Sequence, residues 1–198
     1  MITITDKEFK QLADYIYVNY GIYLKEEKRS LVMGRLFNIL IQNNFRNFSE
    51  YFNYVISDRT GKAADTLIEK ITTNHTFFMR EADHFDFFKD KVLPYLASTV
   101  KDKDLRIWSA GCSSGEEPYT LAMIIDEFFG KEKMFWNTKI LATDISGKVL
   151  ESAKEGVYSN DEIATLPAAW RLKYFKNIDC ENSVIVDKIK EEVIYRKF

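Results

Sequence analysis

Leu105 to Tyr119, LRIWSAGCSSGEEPY, is the stretch whose reading decides the fold. Its apolar start, Leu105, Ile107 and Trp108, is a short run bounded by turn residues, the pattern of a buried strand in a parallel sheet. Ala110, Gly111, Ser113, Ser114 and Gly115 then keep the turn free of bulk, so backbone N–H groups and a ligand can approach closely. Pro118 follows near the first helical position, where its missing N–H costs little. Strand, small-residue turn and helix in this order open a nucleotide-binding unit or, in the plainer reading, an ordinary strand-to-helix loop.

The carboxylates narrow the choice of ligand. A phosphate-binding turn presents Lys or bare N–H groups at the helix start, whereas Glu116 and Glu117 repel phosphate and favour a ligand carrying positive charge. S-adenosylmethionine meets that requirement, with a sulfonium, an ammonium and no phosphate. Gly111 and Gly115 do not complete G-x-G-x-x-G, which disfavours a dinucleotide. A second strand, TKILATDIS from Thr138 to Ser146, ends in Asp144, where an acidic residue accepts hydrogen bonds from ribose hydroxyls. Asp144 lies beyond the usual separation of about 20 residues, and the helix and loop of EPYTLAMIIDEFFGKEKMFWN account for the gap. Its alternative task is to cap a helix starting near Ser146.

With these residues in place the chain resembles the chemotaxis receptor methyltransferases, the CheR family of S-adenosylmethionine-dependent protein-glutamate O-methyltransferases. Three blocks carry the resemblance: TTNHTFFMREADHF (Thr72 to Phe85), WSAGCSSGEEPYTLAM (Trp108 to Met123) and ATDISGKVLESAKEGVY (Ala142 to Tyr158). The first is the most specific, and YGIYLKEEKRSLVMGRL (Tyr20 to Leu36) looks like the family's basic helix. The resemblance implies an α/β fold class, an N-terminal all-helical bundle followed by a partial Rossmann-like methyltransferase domain, divided at 1–78 and 79–198. It implies S-adenosylmethionine as cofactor, S-adenosylhomocysteine as product, and the cytoplasmic helices of a methyl-accepting receptor as partner. Among the cofactor contacts it places Asn74, Thr76 and Arg80, the last facing the cofactor carboxylate, beside Gly111, Glu116, Glu117 and Asp144. Phe77 and Phe78 pack nearby, and Met79 stands where family members often carry a second Phe. Read without the family, Asn74 and Thr76 are helix-end caps and Arg80 a surface ion-pair partner.

Composition sets the outer limits. With 198 residues and 46% hydrophobic content the chain can bury a real core, and its net charge of −2 gives no basic surface for nucleic acid. MITITDKEFK has no basic start and apolar core, and no run of about 18 apolar residues follows, so neither a signal peptide nor membrane insertion is expected. Two cysteines suit a reducing cytoplasm, with Cys112 a small loop filler, and His75 and His84 lack zinc spacing, so no metal is expected.

Residues 1 to about 78 read as helices. Thr5 or Asp6 is an N-cap, and Phe9, Leu12, Ala13, Ile16 and Tyr20 keep helical spacing. A second helix begins near Lys25, with Leu31, Val32, Leu36, Phe37 and Leu40 as its apolar stripe and Lys25, Lys28, Arg29 and Arg35 on or beside its polar face. By resemblance, Lys28, Arg29 and Arg35 dock the acidic receptor helices, and the plainer alternative is a solvated face. Ser49 opens an aromatic helix with Tyr51, Phe52, Tyr54 and Val55, and Thr66 to Ile71 continues the bundle. After Tyr158 come helices over Asp161 to Thr165 and Trp170 to Phe175, then strands Ser183 to Val186 and Glu192 to Lys197.

The family's fold continues past this point with a further strand, an Asn-rich segment and more sheet, so the chain looks truncated beside it. Two readings follow, an enzyme and a cofactor- or receptor-binding module without turnover. A glutamate carboxylate is already anionic at neutral pH and needs no strong base to attack a sulfonium methyl, so no residue is assigned as catalytic. Positioning alone can supply about 7–11 kcal/mol in ideal cases.

Overall fold

The computed structural model describes residues 2–198. The chain forms two compact units, Met1–Thr73 and Asn74–Phe198. This division falls before the 78/79 boundary drawn from sequence, because residues 74–78 belong with the second unit. Phe78 sits in its core, edge-on to Tyr158 at 4.8 Å and to Phe175 at 5.7 Å between ring centroids.

The first unit is all helical: α1 Asp6–Tyr20, α2 Arg29–Gln42, α3 Phe48–Ser57 and α4 Lys62–Ile71. Thr5 caps α1 in a reciprocal box with Glu8, satisfying two donors that the first turn leaves without partners. The other Glu8 oxygen accepts from the Ser49 N–H and hydroxyl, tying α1 to the start of α3. The N-cap of α3 is Asn47 rather than Ser49, since the Asn47 side chain accepts from the Glu50 N–H. Helix α2 buries only Val32, Leu36 and Leu40, a four-residue spacing along one line, while Leu31 and Phe37 flank that line and stay exposed. Tyr54 is exposed as well, and Tyr51, Phe52 and Val55 form the inner face of α3.

The second unit begins with an unbroken helical stretch not read from sequence, α5 Ala82–Phe87, a wide turn Phe88–Val92 and α6 Leu93–Thr99. The wide turn precedes Pro94, which has no N–H and whose ring crowds the preceding turn. The remaining elements are β1 Ile107–Ala110, α7 Glu116–Phe129, β2 Ile140–Asp144, α8 Gly147–Glu155, β3 Val157–Ser159 and α9 Asn160–Ile163. They continue through α10 Ala168–Tyr174, β4 Phe175–Asn177, β5 Asn182–Ile185, α11 Asp187–Lys190 and β6 Val193–Lys197.

Two sheets result. The first is parallel, in the order β1-β2-β6, and the second is an antiparallel layer, β3-β5-β4, of which only β5 was read from sequence. The inner face of the parallel sheet carries Ser109, Ile140, Ala142, Val193 and Tyr195, all buried. Its other face carries the register row Trp108, Leu141 and Ile194, all exposed, with Trp108 at 58%. The apolar run at β1 therefore marks a strand covered on one side, not the doubly buried strand expected. Trp108 uses its polar edge, its Nε1–H donating to the Thr143 hydroxyl at 3.0 Å.

Helix α7 is nearly all buried, and its start depends on Gly115. With φ at +99°, a Cβ there would meet the Tyr195 hydroxyl at 2.8 Å and Ala153 and Tyr158 at 3.1 Å. Pro118 lies inside the first turn, where the helix has no partner for its N–H in any case.

Candidate cofactor site

Strands β1 and β2 end side by side, Ala110 opposite Thr143, and the chain turns there through Gly111–Gly115. The Gly111 and Cys112 N–H groups both donate to the Thr143 carbonyl, at 2.8 and 2.9 Å. In a parallel sheet the crevice beyond the carboxyl ends of the strands is where ligands bind. Gly111 is exposed with φ at +76°, and no heavy atom lies within 4 Å of where its Cβ would stand. Its backbone is thus open to a ligand.

Asp144, the last residue of β2, organises this crevice. One carboxylate oxygen accepts from the Ser113 N–H and the other from the Ser146 N–H, each at 2.9 Å. Ser146, not Asp144, caps α8, its hydroxyl accepting from the Val149 N–H. Each Asp144 oxygen retains a lone pair for a ligand hydroxyl. Ser113, read from sequence only as a small turn residue, is the joint of the site. It is buried with φ at +48°, a conformation costly for a residue with a Cβ, and its hydroxyl donates to the Asn74 carbonyl at 3.1 Å. One residue thereby joins Asn74, the turn and Asp144. No sequence signal marks a serine for this role, because the bond partner is a backbone carbonyl remote in the chain.

The two helix-start carboxylates separate. Glu116 points inward, accepting from the Ser114 hydroxyl on both oxygens at 2.9 and 2.8 Å, and burial pushes its carboxyl above the usual range despite those bonds. Both Glu116 oxygens are thereby engaged by Ser114. Glu117 is exposed and accepts from the Ser109 hydroxyl at 2.6 Å. It is the carboxylate available to a positively charged group.

In the block after Asn74, Thr76 is half-buried while Asn74 and Arg80 are exposed. Arg80 Nη1 donates to the His75 carbonyl at 2.9 Å, closing the segment on itself, and Met79 and Glu81 both adopt positive φ. Phe78 anchors the segment in the core, whereas Phe77 stays exposed beside His75. Cys112 is buried, and desolvation pushes its thiol up to about 12, so it is a packed loop residue rather than a nucleophile.

Residues 74–198 match the family described as CheR methyltransferase, SAM binding domain, and residues 7–72 match CheR methyltransferase, all-alpha domain. The chain belongs to the CheR methyltransferase family. Among curated relatives of this CheR chain, a chemotaxis protein methyltransferase of Borreliella burgdorferi is 41% identical over 99% of the chain and 70% of its own length. Chemotaxis protein methyltransferase 2 of Vibrio cholerae is 31% identical over 97% of the chain and 66% of its own length. The chemotaxis protein methyltransferase of Escherichia coli is 33% identical over 88% of the chain and 58% of its own length. The chain thus spans roughly 58–70% of the length of these relatives.

Helix α2 begins at Arg29 rather than near Lys25, with Lys28 closing a short turn Glu26–Lys28 before it, and the basic residues here fall into two groups. Lys28 is exposed and makes no ion pair among the described residues, whereas Arg29 is paired to Asp6 at 2.6 Å and to Glu26, and lies over the Phe9 ring at 5.4 Å. Arg35 is turned onto the end of α4, its Nη1 donating to the Ile71 and Thr72 carbonyls at 2.6 and 2.9 Å. Arg29 and Arg35 thus tie elements of the first unit together.

The site carries one direct consequence for its serine joint. Ser113→Ala removes the bond to the Asn74 carbonyl, and a net loss of about 1 kcal/mol corresponds to roughly fivefold weaker binding of S-adenosylhomocysteine. Isothermal titration reads it, and unchanged affinity would show that Asn74 is held without that bond.

Proposed function

We propose that this CheR-family chain binds S-adenosylmethionine at the carboxyl ends of β1 and β2 and serves methylation of glutamate side chains on a chemotaxis receptor. The observation that carries the reading is the grouping at the carboxyl ends of β1 and β2: an open Gly111 backbone, Asp144 at the strand end and an exposed Glu117. An adenosyl ligand with a cationic amino-acid tail suits this donor and acceptor set. Asp144 holds the ribose hydroxyls, Glu117 the positively charged tail, and Asn74, Thr76 and Arg80 close over the ligand, with Arg80 meeting its carboxylate.

When bound, the sulfonium supplies an electrophilic methyl that a glutamate carboxylate oxygen takes up as the carbon–sulfur pair returns to sulfur. The chain's own residues orient and desolvate. Buried Cys112, Ser113 and Glu116 back the turn, and Tyr158 donates to the Ser114 carbonyl at 2.7 Å, keeping the turn rigid. No side chain has to remove a proton, since the attacking carboxylate is already ionised at neutral pH.

The test is transfer of labelled methyl from S-adenosylmethionine to receptor-bearing membranes. Base-labile label on receptor glutamates supports the reading, and cofactor binding without transfer would make the chain a binding module. For docking, Lys28 is the exposed cation of the cluster, so Lys28→Glu is expected to weaken receptor methylation about threefold at low salt, with S-adenosylhomocysteine affinity intact. Equal methylation rates in 20 and 200 mM salt for both proteins would reduce that face to solvated surface.

A further inference from the structure

Tyr158 stands on β3, in the antiparallel layer, yet its side chain reaches the turn at the end of the parallel sheet. Its hydroxyl donates to the Ser114 carbonyl at 2.7 Å, within the same turn as Gly111 and Ser113. Burial raises that hydroxyl well above the usual tyrosine range, so it stays protonated and remains a donor. Gly115 leaves the room for it, since a Cβ there would stand 3.1 Å from the Tyr158 oxygen.

The ring of the same residue meets the other half of the site. Phe78 packs edge-on against it at 4.8 Å, and Phe175 of β4 closes the group, 5.7 Å from Phe78 and 6.5 Å from Tyr158. All three rings are buried, and edge-on pairs hold rings at preferred angles as well as removing them from water. Of residues 74–80 only Phe78 is fully buried, so its seat decides where Asn74, Thr76 and Arg80 stand. Strand β5 pairs with both β3 and β4, which sets Tyr158 and Phe175 on one sheet beneath that seat. One tyrosine thus touches both halves of the site, the 74–80 segment through its ring and the 111–115 turn through its hydroxyl.

We propose that Tyr158 is a positioning residue for the cofactor site, setting the separation between residues 74–80 and the turn 111–115, with the antiparallel layer as the buttress that carries it. The Ser113 bond to the Asn74 carbonyl ties the same two segments at a second point. This inference rests on the adenosyl-binding reading, and the experiment separates the two.

Two variants are used, Tyr158→Phe, which keeps the ring and loses the hydroxyl, and Phe78→Leu, which keeps apolar bulk and loses the edge-on contact. Each is titrated with S-adenosylhomocysteine and with adenosine, which lacks the amino-acid tail assigned to residues 74–80, and deuterium uptake is followed without ligand. For Tyr158→Phe, about fivefold weaker binding of S-adenosylhomocysteine and at most about twofold weaker binding of adenosine are expected, because one hydrogen bond is lost and only the longer ligand spans both halves. Uptake should quicken over 111–117 in Tyr158→Phe and over 74–80 in Phe78→Leu. Equal losses for the two ligands, or unchanged uptake over both segments, would mean that Tyr158 only fills the core, which overturns the proposal. Should the unsubstituted chain fail to bind S-adenosylhomocysteine, the cofactor reading falls, and deuterium uptake still decides whether Tyr158 braces the two segments.

Discussion

Asp144→Ala is expected to weaken S-adenosylhomocysteine binding at least ~100-fold, with the titration heat lost at ordinary ligand concentrations. The carboxylate has two tasks that the substitution removes together. It accepts the Ser113 and Ser146 N–H groups at 2.9 Å each, and both of these donors are buried. A hydrogen bond to a charged acceptor contributes about 1.5–3 kcal/mol, and orphaning these donors frees Ser113 from its positive φ. The proposed ribose contact is lost in the same step. Asp144→Asn retains one acceptor oxygen and should fall between the variant and the parent. Near-normal affinity of the alanine variant would sink the ribose assignment, and a melting temperature within a degree of the parent would show that the turn does not depend on this carboxylate.

Asp126→Ala is expected to be the most destabilising of the substitutions considered, and it touches no ligand. Asp126 lies on α7, 2% exposed, with Lys188 at 2.6 Å, Lys173 at 3.3 Å, Lys133 at 3.6 Å and the Tyr174 hydroxyl donating at 3.0 Å. Lys133 continues the network to Glu192 at 3.3 Å, and Lys173 to Glu127 at 2.8 Å. One buried carboxylate thus pins α7 to α10, α11 and the loop before β2. Burial alone would push its carboxyl up, but Lys188, Tyr174 and Lys133 outweigh it and hold the group below the ordinary carboxylate range. Removing one partner of a buried ionic group costs about 3–5 kcal/mol. The lower end applies because Lys173 and Lys188 reach solvent and can rehydrate. At about 2–4 °C per kcal/mol, the second unit should melt roughly 6–12 °C lower.

The pH dependence follows from the same carboxyl. Its folded value is depressed, so the stabilisation is complete above the unfolded value of about 3.9 and is lost as pH falls through the folded value beneath it. The gap in melting temperature between parent and Asp126→Ala should therefore be full at pH 7 and shrink below about pH 4. A gap that stays constant down to pH 2 would mean that packing, not charge, is what the substitution removed.

What was legible in the sequence divides along the range of the interaction concerned. The strand, turn and helix from Leu105 to Tyr119 could be read because their signals are local: an apolar run, positive-φ glycines and a proline in a first turn. Strands β1 and β2 were legible as two such runs, and the structure pairs them in parallel. The Thr5 cap and the Phe9, Leu12 and Ile16 face were equally local. The antiparallel layer β3-β5-β4 was not legible, because Val157–Ser159 and Phe175–Asn177 are too short for an alternation to register.

In the site, sequence brought Asn74, Gly111, Glu117 and Asp144 into view but could not tell Glu116 from Glu117. Adjacent helix positions face different surroundings, and only the fold decides which is buried. The same limit applied at and before α2, where Lys28, Arg29 and Arg35 share a charge but not their surroundings. Asp6 and Glu26 claim Arg29, and the end of α4 claims Arg35, through contacts that no local pattern announces. Ser113 and Asp126 escaped for a related reason. Their importance lies in bonds to Asn74, Asp144, Lys133, Lys173 and Lys188, most of them remote in the chain.

The central claim is that residues 74–144 form an adenosyl site, and calorimetric titration of the 198-residue chain with S-adenosylhomocysteine tests it most directly. The expected result is saturable 1:1 binding that Asp144→Ala removes and that adenosine triphosphate, repelled by Glu117, does not compete away. A folded chain that gives no heat with S-adenosylhomocysteine would contradict the account.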